Sequence, residues 1–448
     1  EVRYVGNRGH RLWRQIDLNE TNTLENGFAK EFALAQQNLT ANINAGRGRN
    51  FRYFGPGTGT FPLPIILANF SGVNPANAAA CGGSGQPSCG TGSTALYASS
   101  LFANATFTTA LNPLNPSVLG FAGVLSGSTN NSLFRPNRDL AGLPANFFKV
   151  NPDVLGDPFL VDNGTQTWYD AFQIEFRRRM SHGLLLQGNY TFSKSQTNFY
   201  NSSSSVFKNY FSLHDVSLDK GIGPYDITHS FKTNFIYEFP FGRGQRWLSG
   251  SSGLVNGFLG GWGFNGSIRV QSGNPVNFGN VQLVGMTRKE LQDLIEVRKG
   301  NSTVFFLPED VISNTAKAFA TGFSTTTNQP IFTNGAPTGR FIAPAGFGNC
   351  QQPYAGTCGI TNLVLKGPRF VRPDLSIVKK IKFTESNNLE LRAEFLNAFN
   401  APNFIIGNAA NDVNAGPLSG VISNAYQDTS TTNDPGGRLV QLVVRWNF

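Results

Sequence analysis

The chain has 448 residues and a formal charge of +9, and 14% of its residues are charged while 12% are aromatic. The charged fraction lies below the roughly 25% of ordinary soluble domains, the aromatic content excludes a disordered chain, and no apolar run reaches the roughly 18 residues of a membrane-spanning helix. Because Gly, Asn, Ser and Thr are abundant, the composition predicts a large β-protein with long polar loops.

Alternation of apolar and polar residues is the strongest pattern along the chain. In residues 167–180, for example, Phe172, Ile174 and Phe176 alternate with Gln173 and Glu175. Each such segment is at least as long as the roughly 9–11 residues that a tilted strand needs to cross a bilayer. The predicted strands are 167–180, 183–193, 226–239, 261–272, 370–383, 388–400 and 437–448, and residues 1–5 read as the end of an eighth.

The connections between these strands alternate between long and shorter ones. The longest are 6–166 and 273–368, and tight turns are predicted near 181–183 and 384–388. In an up-and-down antiparallel sheet all the long connections then fall at one end, as in outer-membrane barrels, whose long loops are extracellular. Because lipid offers no hydrogen-bond partner, such a sheet must close, with its apolar face toward lipid.

The sequence therefore predicts an all-β, antiparallel up-and-down transmembrane β-barrel in the cell outer membrane, with about eight strands present. We expect the 448 residues to be one part of a single barrel domain, with 6–166 and 273–368 as long extracellular loops. Those loops contain three predicted short helices: 24–38, one from a capping box at Thr287 to about Arg298, and one from Pro308 to about Phe319. A soluble β-sandwich would also alternate, but its strands are usually shorter and its loop lengths unsorted.

Charged residues follow the polar face of the predicted strands. One interpretation is a positively charged funnel for anionic solutes. The interpretation that we favour is ion pairing inside the barrel; if the second tight turn is symmetric, Lys382 lies opposite Glu390, which is favourable. The predicted lumen-facing charges are Glu175, Arg177, Arg179, Lys232, Arg269, Arg372, Lys380, Lys382, Glu390, Arg392, Glu394 and Arg445.

The four cysteines form two pairs with seven residues between the members, Cys81 with Cys89 and Cys350 with Cys358. Both pairs lie in predicted extracellular loops, where disulfides can form, and zinc sites usually have two to four residues between such cysteines. We expect two local disulfides, with free thiols as the alternative. The four histidines form no metal-spaced cluster, and no nucleophile elbow or phosphate loop occurs. We therefore expect no enzyme activity, no cofactor and no nucleic-acid partner.

Several short stretches, taken in order, resemble a known family. They are YDAFQ at 169–173, NYTFSKS at 189–195, DITHSF at 226–231, FPFGRG at 239–244, GNP at 273–275, LRAEFLNAFN at 391–400 and RWNF at 445–448. Together they look like the C-terminal part of a TonB-dependent receptor barrel of the Oar-like type, whose members often carry a carboxypeptidase-regulatory-like domain. The resemblance covers about residues 168–448, and VGNRG at 5–9 extends it to the start.

The resemblance implies a barrel of about 22 strands with an N-terminal plug. The extracellular loops would bind a ligand, and the TonB complex would energise its uptake by the full-length parent. Phe448 matches the terminal aromatic residue that such barrels present to the barrel insertion machinery. Because this sequence has no recognisable plug or TonB box, we expect a fragment. The alternatives are a surface adhesion or structural barrel without transport and, less probable, a soluble β-rich binding protein.

Overall fold

The computed structural model describes residues 1–18, 25–48, 52–65, 142–144, 146–147, 158–200, 213–300, 303–323, 330–349, 358–384, 387–404, 406, 421–422 and 437–448. The strands in chain order are β1 (Val2–Asp17), β2 (Phe159–Ser181), β3 (Leu184–Thr197), β4 (Gly221–Ile222), β5 (His229–Glu238), β6 (Trp262–Gln271), β7 (Pro275–Asn277), β8 (Val281–Val284), β9 (Arg298–Lys299), β10 (Val304–Phe305), β11 (Thr321–Phe323), β12 (Pro330–Phe332), β13 (Phe341–Pro344), β14 (Val364–Lys366), β15 (Phe370–Lys382), β16 (Asn388–Leu396), β17 (Val421–Ile422) and β18 (Leu439–Asn447). The helices are α1 (Phe28–Asn44), α2 (Gly253–Leu259), α3 (Arg288–Asp293) and α4 (Glu309–Phe319), with short 3-10 turns at Val216–Asp219 and Phe347–Asn349.

Eight long strands form one antiparallel sheet in the order β1-β2-β3-β5-β6-β15-β16-β18, and β4 pairs with the end of β3. Each long strand lies beside the next long strand along the chain, so the predicted all-β, up-and-down architecture is confirmed. Among the described strands the sheet is open, with β1 and β18 at its edges. Within the described ranges, no helix has both the length and the apolar content needed to span a membrane.

The prediction that long and shorter connections lie at opposite ends of the sheet is also confirmed. At one end of the sheet, β2 turns into β3 through His182 and Gly183, whose φ values of 53° and 77° are typical of a type I′ hairpin. The same end carries the connections that follow β5 and β15. At the other end the chain makes the long connections that follow β1, β3, β6 and β16. We call this second end the long-loop end of the sheet; in outer-membrane barrels the long loops are the extracellular ones.

The first long connection is shorter than predicted, because the strands on both sides of it extend further. Strand β1 continues to Asp17 instead of ending at Val5, and β2 begins at Phe159. Basic residues interrupt the apolar alternation in this part of β1, and they pair with acids across the strands: Arg14 Nε lies 2.6 Å from a carboxylate oxygen of Asp162. The loop predicted at 6–166 is therefore reduced to 18–158.

Apolar side chains align in cross-strand rows on one face of the sheet. One row runs through Ile174, Tyr190, Phe231, Val270 and Val371, each directly opposite the next. The apolar face is open to the surroundings; the exposed fraction is 44% at Phe172, 78% at Leu442 and 71% at Val444. An apolar face without a covering layer at these positions is the surface that a membrane barrel presents to lipid.

The connection between β6 and β15 folds into a small unit, which we call the loop subdomain (residues 275–366). It has its own apolar core, in which Leu291, Phe306, Val311 and Ile342 are fully buried. Strands β7 and β14 pair where the subdomain leaves and rejoins the main sheet. A connection of this length can stay ordered because it buries enough apolar surface to offset the entropy of ordering it.

Two of the predicted helices lie in this subdomain. Helix α3 begins at the predicted capping box, with Thr287 Oγ1 accepting a hydrogen bond from Glu290 N, but it ends at Asp293. Helix α4 follows Pro308 and ends at Phe319 as predicted. The third predicted helix, α1, is confirmed with shifted bounds, since it begins at Phe28 and runs to Asn44.

The sequence pattern did not indicate helix α2, which lies in the connection between β5 and β6. Its apolar side chains point away from the protein, with exposed fractions of 81% at Leu254 and 77% at Phe258. Lys379, which lies on the apolar face of β15, donates hydrogen bonds from Nζ to the carbonyl oxygens of Phe258, at 3.3 Å, and Gly260. Its ammonium lies 5.2 Å from the ring centre of Trp262, so this buried lysine closes the end of the helix.

Candidate functional site

A cavity of about 680 Å³ lies between the polar face of the main sheet and the adjoining segments at the long-loop end. Its floor consists of alternate residues from four neighbouring strands. Gln173 comes from β2, Thr191 from β3, Ser230 and Lys232 from β5, and Gln271 from β6. Because side chains alternate between the faces of a sheet, these residues point to the side opposite the apolar rows.

The opposite wall comes from chain segments that are far apart in sequence. They are the segment before β5, the two segments that join the loop subdomain to the main sheet, and Asn403, Phe404 and Ile406 after β16. The four segments contribute, in this order, the lining residues Tyr225, Asn274, Arg369 and Phe404. The site is therefore formed by connections at the long-loop end that fold back over the polar face.

An ion pair fixes the loop subdomain to the sheet. Lys366, the last residue of β14, donates from Nζ to the Asp226 carboxylate and, at 2.9 Å, to the Asp226 carbonyl oxygen. The Asp226 side chain is 3% exposed and also accepts hydrogen bonds from Ser195 N and Thr228 Oγ1. Burial lowers the pKa of the Lys366 ammonium, and the Asp226 carboxylate partly offsets that shift.

The turn at 273–275 brings the two ends of the subdomain together. A Cβ atom at Gly273 would lie 2.1 Å from the carbonyl oxygen of Gly367, so a larger residue does not fit there. Gly367 N donates a hydrogen bond of 2.9 Å to Asn274 O. The Gly-Asn-Pro stretch that contributes to the family resemblance thus shapes the wall of the cavity.

Three cations lie in one cross-strand row. Lys232 is directly opposite Arg269, which is directly opposite Arg372 on the next strand. Arg372 contacts Asp374 at 3.2 Å. Arg269 donates to Gln271 Oε1 at 3.0 Å, and its guanidinium lies 5.0 Å from the ring centre of Phe370. Lys232 and Arg269 line the cavity, so part of the predicted charged set belongs to this site.

Other predicted charges pair with one another on the polar face, away from the cavity. Arg177 contacts Glu175 at 3.2 Å, and Arg392 contacts Glu390 at 2.6 Å and Glu394 at 2.9 Å. Ion pairing, the interpretation favoured from the sequence, therefore accounts for these residues. Arg179 follows Arg177 by two residues in β2 and therefore belongs to the same face of the sheet, close to the tight turn.

The predicted cross-strand partner of Glu390 is wrong by two residues. Glu390 lies opposite Lys380 and Arg445, whereas Lys382 lies opposite Asn388. Phe383 N donates to Asn387 O, so pairing continues further into the turn than a turn symmetric about 384–388 allows. A favourable charge arrangement remains, because one acid lies between two bases on neighbouring strands.

The cysteines and the terminal residue are only partly described. Cys358 is disulfide-bonded, and its predicted pairing with Cys350 remains a prediction, since Cys350 lies outside the described residues. The predicted pair of Cys81 and Cys89 also lies outside them. Phe448 follows β18 and is 96% exposed. The described residues hold no group of three or more His, Cys, Asp or Glu side chains arranged to bind a metal.

Sequence reasoning missed Asp226, Lys366, Arg369 and Tyr225 as site residues. Asp226 was assigned to a strand, but it precedes β5 and serves as the anchor for Lys366. The two residues of this pair are 140 positions apart, and nothing in a single sequence indicates such a contact. The only local signal was the turn-forming Gly-Asn-Pro stretch.

Comparison with known proteins gives one match. A family model described as an outer membrane beta barrel domain matches residues 89–441, well over half of the chain. No curated protein and no solved structure matches the chain.

Proposed function

The chain belongs to the outer membrane beta barrel domain family and lies in the cell outer membrane, and on that premise we propose that it forms part of a receptor that binds a solute at the extracellular surface and passes it inward. The observation that carries the proposal is the cavity between the polar face of the sheet and the loop subdomain. A concave site with convergent polar groups is the usual form of a small-molecule site.

The position of the cavity favours uptake over simple display of loops. Its floor belongs to the same polar face that, in a closed barrel, would line the lumen. Lys366 connects the loop subdomain to Asp226, which lies in the segment just before strand β5, separated from it by Ile227 and Thr228. A ligand held there would contact the extracellular connections and the wall of the lumen at once.

The finer part of the proposal is a TonB-dependent receptor of the Oar-like type. It is supported by the seven stretches described from the sequence, among them the Gly-Asn-Pro turn at the cavity wall. The partners would be the lipid of the outer membrane, the barrel insertion machinery at Phe448 and, for the full-length parent, the TonB complex. We propose no catalysis and no cofactor, since the recognised motifs carry neither.

The test is removal of the loop subdomain from the full-length protein in its native membrane. Asn277 lies directly opposite Val364, so residues 278–363 can be replaced by a short Asn-Gly turn that keeps both ends paired. The excision removes the core against which the lining residue Val276 packs, so this wall of the cavity loses its support. The solutes that accumulate in the periplasm are compared by mass spectrometry among the wild type, this variant and a strain without TonB. We expect at least one solute to depend on both the subdomain and TonB.

The main alternative is a surface adhesion barrel. In that case the same excision reduces attachment of cells to surfaces or to one another, while no periplasmic solute changes. That result would contradict the receptor proposal. Solute uptake that depends on the subdomain but not on TonB would support the receptor proposal and contradict the proposed role of TonB.

A further inference from the structure

We infer that the cavity binds an organic anion, a solute with a carboxylate or phosphate group next to a flat apolar part. This inference rests on the proposed receptor function and specifies the class of ligand. It is carried by the charged side chains of the cavity wall and by the aromatic rings that line the same cavity.

The charge balance is one-sided. Lys232, Arg269 and Arg369 line the cavity, and no Asp or Glu is present among the described residues that line it. Within the described part of the chain, neither Lys232 nor Arg369 has a carboxylate within 4 Å of its charged group. The wall therefore presents positive charge to whatever occupies the cavity.

Acids close to the cavity do not cancel this charge, because each is already engaged. The Asp226 carboxylate accepts from Lys366, the Asp374 carboxylate lies 3.2 Å from Arg372, and Glu175 lies 3.2 Å from Arg177. These acids therefore do not cancel the positive charges of Lys232 and Arg369.

Two of the cations also lie opposite each other on neighbouring strands. Lys232 and Arg269 face each other directly across β5 and β6, and like charges in that position destabilise a sheet. An anionic group between them would remove the repulsion and form charge-assisted hydrogen bonds, which are roughly twice as strong as neutral ones. The floor is therefore suited to the acidic end of a ligand.

Aromatic side chains suit the rest of the ligand. Tyr169, Tyr225, Phe370 and Phe404 line the same cavity. Phe370 and Phe404 are 5% and 8% exposed and form fixed surfaces, whereas Tyr225 is 74% exposed at the mouth. Flat apolar groups pack well against such rings, so an acid attached to a ring or another planar group matches this wall better than a small inorganic ion.

The experiment uses the full-length receptor in lipid nanodiscs and titration calorimetry with four probes: benzoate, phenyl phosphate, benzyl alcohol and inorganic phosphate. We expect one or both aromatic anions to bind at least 10-fold more tightly than benzyl alcohol and than inorganic phosphate. The better of the two anions identifies carboxylate or phosphate as the natural acidic group. Raised salt should weaken anion binding and leave benzyl alcohol unaffected.

Variants test whether the cavity itself is responsible. We expect Lys232→Gln and Arg369→Gln each to weaken binding of the better anion about 5- to 10-fold, without affecting benzyl alcohol. Lys289→Gln is the matched control, because it removes a lysine that is 85% exposed on α3 and paired with Asp293 outside the cavity. It should leave all four affinities unchanged.

Two results would overturn the inference. Affinities for benzoate, phenyl phosphate and benzyl alcohol that agree within a factor of two would show that charge does not select the ligand. Anion binding that is reduced equally by Lys289→Gln and by the cavity variants would place it elsewhere. In either case solute uptake that still depends on the loop subdomain would preserve the proposed receptor, so the two failures are distinguishable.

Discussion

At the scale of single residues, the pair of Lys366 and Asp226 determines where the loop subdomain sits. The Asp226 side chain is 3% exposed and that of Lys366 is 19% exposed. Two charges removed from water in this way are stable only together, because the remaining partner of a broken buried pair keeps its desolvation cost. The contact therefore acts as a latch between the subdomain and the sheet.

Replacement of Asp226 by Asn should break the ion pair with Lys366. We expect the docking of the loop subdomain to lose about 3 kcal/mol, near the lower end of the range for a broken buried pair. Hydrogen exchange at β7 and β14 measures the loss. Asp293→Asn breaks an exposed pair with Lys289 and should change exchange there very little. If both variants behave alike, Lys366 and Asp226 do not hold the subdomain.

A second pair predicts a pH dependence inside the subdomain. Arg340 donates to Asp310 at 2.8 Å and 3.3 Å and thereby lowers the pKa of the Asp310 carboxyl from its usual value of 3.8. Because the folded pKa is the lower one, the pair stabilises the subdomain above about pH 3.8. That contribution is lost as the pH falls through the folded pKa.

The measurement compares wild type with Arg340→Gln by chemical denaturation of the subdomain. Both side chains are more than a third exposed, so the difference at pH 6 should stay below about 1 kcal/mol. It should shrink as the pH falls below about 3.8 and through the lowered folded pKa, because the carboxyl then becomes protonated in both states. A difference that persists at low pH would assign the effect of Arg340 to packing instead.

At the scale of elements, the strands could be predicted from the sequence because burial on one face imposes a period of two. Phe231, Phe235 and Tyr237 show it in β5, and they lie in register with Val270, Gly266 and Phe264 of β6. Strand ends were less predictable. In the second half of β1, ion pairs across the strands, such as that of Arg14 with Asp162, replace the alternation of apolar and polar residues. The sequence pattern therefore did not predict where this strand ends.

The apolar row through Phe231 carries a direct test of which face meets lipid. Phe231→Arg should destabilise the barrel by about 2–4 kcal/mol if the residue lies at the bilayer midplane, and by less if it lies nearer the interface. Asn234→Arg adds the same side chain to the polar face of the same strand and should be mild. Folding into lipid vesicles, followed by denaturant titration, measures both. Equal costs would contradict the assignment of the faces.

Elements that depend on distant contacts could not be predicted. Helix α2 has Leu254, Val255, Phe258 and Leu259 on its surface, but a helix of seven residues is too short for a clear periodic signal. The register error at Lys382 has a similar origin, since the shape of a five-residue turn depends on its own hydrogen bonds. The candidate cavity needs four separate connections, and only one of them carried a local signal.

At the scale of the whole molecule, the chain has two separate sources of stability. The main sheet relies on its hydrogen-bonded ladder and on apolar side chains that face outward. The loop subdomain relies on an inward-facing core around Phe306, Leu291 and Val311. Because different interactions stabilise the two parts, one can be weakened without the other.

Phe306→Ala should separate the two parts experimentally. Phe306 is fully buried, so the truncation should cost the subdomain about 3–5 kcal/mol. Limited proteolysis should then cut within 275–366, while the heat-modifiable migration of the barrel on gels stays unchanged. Phe258→Ala removes a ring that is 77% exposed and should leave the subdomain resistant. Loss of the barrel in Phe306→Ala would show that the two parts fold as one.

Helix α2 has a consequence for the vertical position of the protein in its bilayer. It lies at the end of the sheet that carries the tight turns. Its Leu and Phe side chains are exposed, as are the apolar side chains of the neighbouring strands. Lys379 occupies the carbonyl oxygens at its C-terminal end, so these acceptors need no water. We therefore expect the helix to contact lipid at the end of the sheet with the tight turns, and this contact would help to set the depth of the sheet in the bilayer.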